Sequence, residues 1–206
     1  MHSSRLGNVT GALLLAPGGS STGRGRDPAH LAREGEGEGR FTPVARLLEG
    51  LFEETLLVGG DPEPDAPGRR VEDFEGPPCA MRGLAEALEA ASNERVLVVA
   101  SDLSFLSSDL LLALTSWPEH DAVVVCDAYD AGGDHPLCAI YRREAVLPIV
   151  REQLASERLT LDALLGRIDC ARVTLLTLGL GDLASRTRTK AIAPDEVTGF
   201  VRTEGC

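Results

Sequence analysis

The sequence predicts an α/β fold built on a largely parallel sheet. Three observations carry that expectation. Short apolar runs alternate with segments of helical periodicity along most of the chain. The run Val96–Ala100 has no charge or turn former, as a strand buried on both faces requires. The carboxylate of Asp102 follows it at once, where open α/β sheets place their ligand crevice.

The elements follow in order. Gly11–Ala16 is a first short strand, and a Gly/Ser loop comes after it. Between Pro43 and Glu54 the residues Val44, Leu47, Leu48, Leu51 and Phe52 recur at helical spacing, with Pro43 suited to a first turn. Thr55–Gly59 is the next strand. Residues 61–78 are rich in Pro, Gly and acids and read as a loop. Arg82–Ser92 is an amphipathic helix, Val96–Ala100 a strand, and Ser108–Trp117 a helix with a start signal at Ser107–Asp109. Asp121–Cys126 is a strand, 130–135 a turn-rich loop, Leu137–Tyr141 a strand and Glu144–Ala155 a helix. A shorter helix near Leu161–Ile168 precedes a strand over Arg172–Leu178. Right-handed crossovers would join these into βαβ units. The 206 residues are expected to form a single domain, with a flexible acidic loop at 34–40 and a weakly patterned tail over 179–206.

Composition narrows the function classes. A formal charge of -12 argues against a general nucleic-acid binder, which needs a basic face. Positive charge does collect at one end: residues 1–26 hold Arg5, Arg24 and Arg26 and no Asp or Glu. The five cysteines are scattered and form no CxxC pair, which suits neither a disulfide framework nor a zinc site; Cys126 and Cys138 lie in apolar runs and are expected to be buried. No apolar stretch reaches membrane-spanning length, and no signal-peptide pattern is evident, so a cytoplasmic protein is expected, with no membrane partner.

Two features carry candidate chemistry. The loop Ala16-Pro17-Gly18-Gly19-Ser20-Ser21-Thr22-Gly23-Arg24-Gly25-Arg26-Asp27 directly follows the first strand. Glycines let successive backbone N–H groups converge on an anion, hydroxyls add donors, and Arg24 and Arg26 supply charge, as a triphosphate tail requires. A loop with nothing bound is the plain alternative. The loop lacks the Gly-Lys-Ser/Thr of a Walker motif and the G-x-G-x-x-G of a dinucleotide fold. Gly19–Gly23 also matches the G-x-S-x-G of hydrolase nucleophile elbows, but that elbow normally follows several strands and here follows one. The second feature is Asp102, a candidate metal ligand; its plain alternative is a residue that caps or precedes the next helix. His135, ahead of Pro136 at a strand entrance, reads as structural before catalytic.

Taken together these stretches resemble the molybdenum cofactor guanylyltransferase family, from about Gly11 to Ile168. The loop keeps the family's spacing of glycines, Ser21, Gly25 and Asp27. Val71-Glu72-Asp73 and 76–84 resemble its acid followed by G-P-L-A-G-L. Val96–Leu110 resembles V-L-V-V-A-C-D-x-P-F-L-x-x-D-L, with Ser101 for Cys and Ser104 for Pro, and His135–Arg142 is similar to H-P-L-x-A-L-Y-R.

The resemblance implies a Rossmann-like three-layer α/β/α nucleotidyltransferase fold. It also implies Mg²⁺-dependent transfer of GMP from GTP to a molybdopterin phosphate. Residues 16–21 would hold the β- and γ-phosphates, Asp102 the Mg²⁺, Asp73 the nucleotide, and Gly59 would lie near the base. A molybdoenzyme or another cofactor-biosynthesis protein would be a further partner. The chain departs from the family at Pro28, where the signature has Lys, at Gly23, where it has Arg, and at Pro17, where it has Ala. It also has no clean counterpart of the family's later N-x-N-T-P-E-D; Thr187–Glu196 is the nearest stretch. Arg24, Arg26 or Lys190 would have to replace the missing charge. The alternative is a non-catalytic relative that binds nucleotide or cofactor.

Overall fold

A computed structural model describes residues 5–15, 41–71, 78–103, 105–126 and 133–180. The loop residues Ala16, Pro17, Gly18, Gly19, Ser20, Ser21, Arg24 and Arg26 lie outside them, as do Asp73, the 34–40 segment and everything after Leu180.

The described strands are β1 (Leu6–Leu14), β2 (Phe52–Val58), β3 (Arg69–Val71), β4 (Arg95–Ala100), β5 (Ala122–Cys126), β6 (Asp134–Arg142) and β7 (Cys170–Val173). They form one seven-stranded sheet in the order β3-β2-β1-β4-β6-β5-β7. β1 pairs in parallel with β2 and β4, β2 with β3, and β5 with β7. β6 runs antiparallel between β4 and β5. The described helices are α1 (Thr42–Leu51), α2 (Ala80–Ala90), α3 (Ser108–Thr115), α4 (Arg143–Ala155) and α5 (Leu161–Leu165).

Two apolar clusters, one on each face of the sheet, make the three layers. α2, α4 and α5 cover one face, where Met81, Leu84, Leu88, Val146, Val150 and Leu164 pack on Ala12, Val96, Val98 and Val124. α1 and α3 cover the other, where Ala45, Leu48, Leu110 and Leu114 meet Leu13, Leu97, Val99 and Val123. Alternate residues of β4 therefore serve opposite cores, and each of Val96–Val99 is fully buried. This is why that strand reads as an unbroken apolar run. The Rossmann-like three-layer expectation stands.

Several boundaries differ from the sequence expectation. β1 starts at Leu6, five residues before the expected Gly11. Helix α1 passes into β2 without a loop: Leu51 ends the helix and Phe52, extended at φ -120°, opens the strand. The helical spacing of Phe52 misled because its ring is buried from the strand instead, beneath Gly11, where a Cβ would stand 2.7 Å from Phe52 Cδ2. β3 lies inside the stretch expected to be loop. A three-residue edge strand carries too little pattern to stand out from Pro- and Gly-rich surroundings. Arg69 and Arg70 hold it, Arg69 donating to the Ala90 carbonyl (2.6 Å) and Glu54 (3.0 Å), and Arg70 to the Pro62 and Glu63 carbonyls. The last strand ends at Val173, and a turn closed by reciprocal Thr174–Thr177 hydrogen bonds replaces its expected continuation to Leu178.

The opposite edge from the crevice, where β1, β2 and β4 begin, is tied by one carboxylate. Glu54 accepts from the Thr10 hydroxyl at 2.5 Å, from the Ser92 N–H and hydroxyl at 2.9 Å each, and from Arg69. Thr10, itself fully buried, accepts in turn from Asn93. Partial burial pushes the Glu54 carboxyl up, but the Thr10, Ser92 and Arg69 hydrogen bonds outweigh it and hold the group below its ordinary range.

Candidate functional site

The carboxyl ends of β1, β2 and β4 are level. Leu14 pairs with Val58 on one side and with Ala100 on the other. The ladder continues one step past the strands, with Leu15 N–H donating to the Val58 carbonyl (2.9 Å) and Ser101 N–H to the Leu14 carbonyl (3.0 Å). The chain leaves β1 toward β2 on one side, and β4 returns on the other. β1 and β4 thus flank a topological switch point, the position at which open α/β sheets place their ligands.

Three exits meet at this edge. From β1 the chain enters the glycine-rich loop at Ala16. From β2 it turns through Gly59 and Gly60, both left-handed at φ 71° and 58°, a conformation that costs glycine least. From β4 it turns through Ser101 and Asp102, and Asp102 is exposed. Of the sequence-predicted site residues, the described ones, Asp102 and Gly59, therefore lie along the same edge.

Asp102 precedes α3 but does not cap it. α3 is capped by Ser107, whose hydroxyl accepts from Leu110 N–H at 3.2 Å, and Asp109 is the acid in its first turn. Leu103, Phe105 and Leu106 tuck against the α1/α3 core and leave the Asp102 turn outside. Among the described residues no three His, Cys, Asp or Glu side chains gather as a metal site held by protein alone would need. A single exposed carboxylate fits Mg²⁺, which is commonly bound by one or two carboxylates with waters and substrate phosphates completing the shell.

Other groups are elsewhere or inert. Cys138 is buried as expected, and burial pushes its thiol up to about 12; Cys126 is half-buried. A cavity of about 90 Å³ lies at the opposite edge of the sheet, lined by Glu94, Arg95, His120, Tyr141 and Arg142 among others. It is far below the roughly 300 Å³ of a small-molecule pocket, and its cations are engaged, Arg95 by the Thr115 carbonyl (2.8 Å) and Arg142 by Asp121 (2.6 Å).

One residue reaches the crevice edge that the sequence pattern assigned to structure. His135 opens β6, and because β6 is antiparallel its start lies beside the end of β4. The His135 ring meets Phe105, with centroids 5.2 Å apart and planes at 55°. Proximity to Phe105 could not be read from spacing, since it depends on the reversed direction of β6.

The chain's relatives agree with this geometry. Residues 12–169 match the MobA-like NTP transferase domain. The chain is 33% identical over 149 residues to a Chloroflexus aggregans protein named "Probable molybdenum cofactor guanylyltransferase", covering 70% of this chain and 72% of that one. A protein of Aquifex aeolicus VF5 of known crystal structure superposes with a TM-score of 0.67 at 21% identity, over 84% of this chain and 92% of its own. The crystal structure of molybdopterin-guanine dinucleotide biosynthesis protein A from Archaeoglobus fulgidus gives 0.56 at 17% identity, over 87% and 88%. With residues 12–169 matched, the chain belongs to the MobA-like NTP transferase domain family.

Proposed function

We propose that the chain transfers GMP from GTP to the terminal phosphate of molybdopterin and releases pyrophosphate. One observation supports the reading: Ser101, next to the exposed Asp102, is hydrogen-bonded to Leu14, the last residue of β1, two residues before the glycine-rich sequence begins. The 33% identical relative supports the choice of donor and acceptor.

An oxygen of the acceptor phosphate attacks the α-phosphorus of GTP. The new P–O bond forms as the bond to the β-phosphate oxygen breaks, and pyrophosphate departs with the charge. The protein's part is positioning and charge neutralisation. Backbone N–H groups of Gly18, Gly19, Ser20 and Ser21 would hold the β- and γ-phosphates; Pro17 has no N–H to offer. Arg24 and Arg26 would offset the charge that develops on the leaving group, a task the family's Lys performs where this chain has Pro28. Asp102 would hold Mg²⁺, which supplies charge neutralisation across the reacting phosphates. Gly59 would let the β2 exit pass close to the base, and Asp73 would contact the nucleotide.

Pro28 motivates a second reading, a relative that binds nucleotide or cofactor without turnover. Labelled GTP, Mg²⁺ and molybdopterin incubated with the protein separate the two. Release of labelled pyrophosphate dependent on molybdopterin is expected. No release from wild type, with release appearing in Pro28→Lys, would establish the binding-only reading.

A further inference from the structure

We infer that His135 is a binding and positioning residue for the acceptor phosphate, held at the crevice by a buttressed bulge in β6. The inference rests on the transfer reading above and extends it to the acceptor. Along β5 and β6 the partners step from Val124–Ala139 to Val125–His135, one residue on β5 but four on β6. Residues 136–138 are thereby left without partners on β5, while Cys138 still pairs with Val99 of β4, and bulges re-aim a side chain beside a site. Pro136 suits the bulge because it has no N–H to lose from the ladder.

The bulge is secured from below and from the side. Tyr141, fully buried, sends its hydroxyl back five residues to donate to the Pro136 carbonyl at 2.6 Å. Asp134, immediately before His135, is paired at 2.8 Å with Arg172 of β7. The chain around His135 is thus held on one side at Pro136 and on the other at Asp134, and the imidazole lies against Phe105, three residues beyond Asp102. A half-buried histidine at the sheet edge has two ring nitrogens, so one can meet an anion while the other keeps a protein partner, without ordering a long side chain.

In-line transfer then sets the side from which the acceptor comes. Attacking and leaving oxygens stand on opposite sides of the reacting phosphorus. The triphosphate tail belongs on the β1 side of Asp102, where the glycine loop begins. The acceptor therefore enters from the other side of β4, and the neighbour there is β6 with His135. In a chain of net charge -12, a phosphate on that side needs a local donor.

Two measurements test this on the full chain. In steady-state pyrophosphate release, His135→Gln is expected to raise the KM for molybdopterin tenfold or more and to leave the KM for GTP within twofold. Tyr141→Phe should shift the acceptor KM in the same direction by a smaller factor. An unchanged acceptor KM in His135→Gln, or a rise in the GTP KM instead, overturns the assignment. The second measurement needs no turnover. With histidine ring nitrogens labelled and a non-hydrolysable GTP analogue present with Mg²⁺, inorganic phosphate should shift the His135 signal saturably and leave that of His120 in place. A stationary His135 signal overturns the inference. A shift in a protein that releases no pyrophosphate keeps the phosphate site and removes the transfer reading; release with an unaltered acceptor KM in His135→Gln does the reverse.

Discussion

Ser101 and Leu14 are joined by a backbone hydrogen bond of 3.0 Å that extends the β4–β1 ladder one residue beyond both strands. The turn bearing Asp102 is consequently fixed to the residue from which the glycine-rich loop departs. A turn tied to the sheet in this way is ordered before any ligand arrives, which is the condition for efficient positioning in the proposed reaction. The predictions below concern the scaffold first and the crevice last.

Gly11 and Phe52 are in close contact across the first strand pair. A Cβ on residue 11 would stand 2.7 Å from Phe52 Cδ2, and the ring is fully buried with no solvent to move into. Gly11→Ala should cost about 1–3 kcal/mol by urea unfolding, as overpacked cores do. Combining it with Phe52→Leu should recover part of that loss, a non-additivity expected of residues in contact.

Glu54 makes stability depend on acid pH. Its folded carboxyl titrates below the ordinary 4.5, so the folded state prefers it ionised. The stabilisation is fully present above that ordinary value and is lost as pH falls through the lower, folded value. Arg69 is 52% exposed and adds little; the Thr10 and Ser92 hydrogen bonds dominate. Glu54→Gln should lower the unfolding free energy by about 1–3 kcal/mol at pH 7, and the gap between variant and wild type should shrink at the acid end of a urea series.

Gly59 sits at φ 71° where the chain leaves β2. A side chain in that left-handed conformation costs about 1–2 kcal/mol. Gly59→Ala should show that loss in thermal unfolding and should also weaken nucleotide binding, since the β2 exit borders the crevice. A variant that loses stability with unchanged nucleotide affinity would place the base elsewhere.

Much of this was legible in the sequence, for reasons that particular residues show. Val96–Val99 face alternate cores, so no polar residue interrupts them, and the strand and its terminal Asp102 stand out together. Phe52 was assigned to the helix because burial from a strand and burial from a helix give one residue the same apolar signature. Arg69–Val71 carry no strand signal because an edge strand this short shows no alternation, and its arginines are satisfied by carbonyls outside the strand. His135 reads as structural from its place before Pro136; its neighbours Val125 and Phe105 are set by the reversed course of β6 and by the bulge, which spacing does not show. The loop proposed to hold phosphate is read from its glycines and serines and from its place after the first strand, and it lies outside the described residues.

The most direct test of the crevice is thermal unfolding of wild type and Asp102→Asn with nucleoside triphosphates, each with and without Mg²⁺. Asp102 is exposed, so the variant alone should melt within the small range of a surface substitution, about 0.5 kcal/mol of wild type. GTP with Mg²⁺ together should raise the melting temperature of wild type, as any ligand specific for the folded state must, and Asp102→Asn should lose most of that rise. An equal rise in both proteins, or a rise in wild type indifferent to Mg²⁺, would contradict a metal–triphosphate site at the ends of β1 and β4.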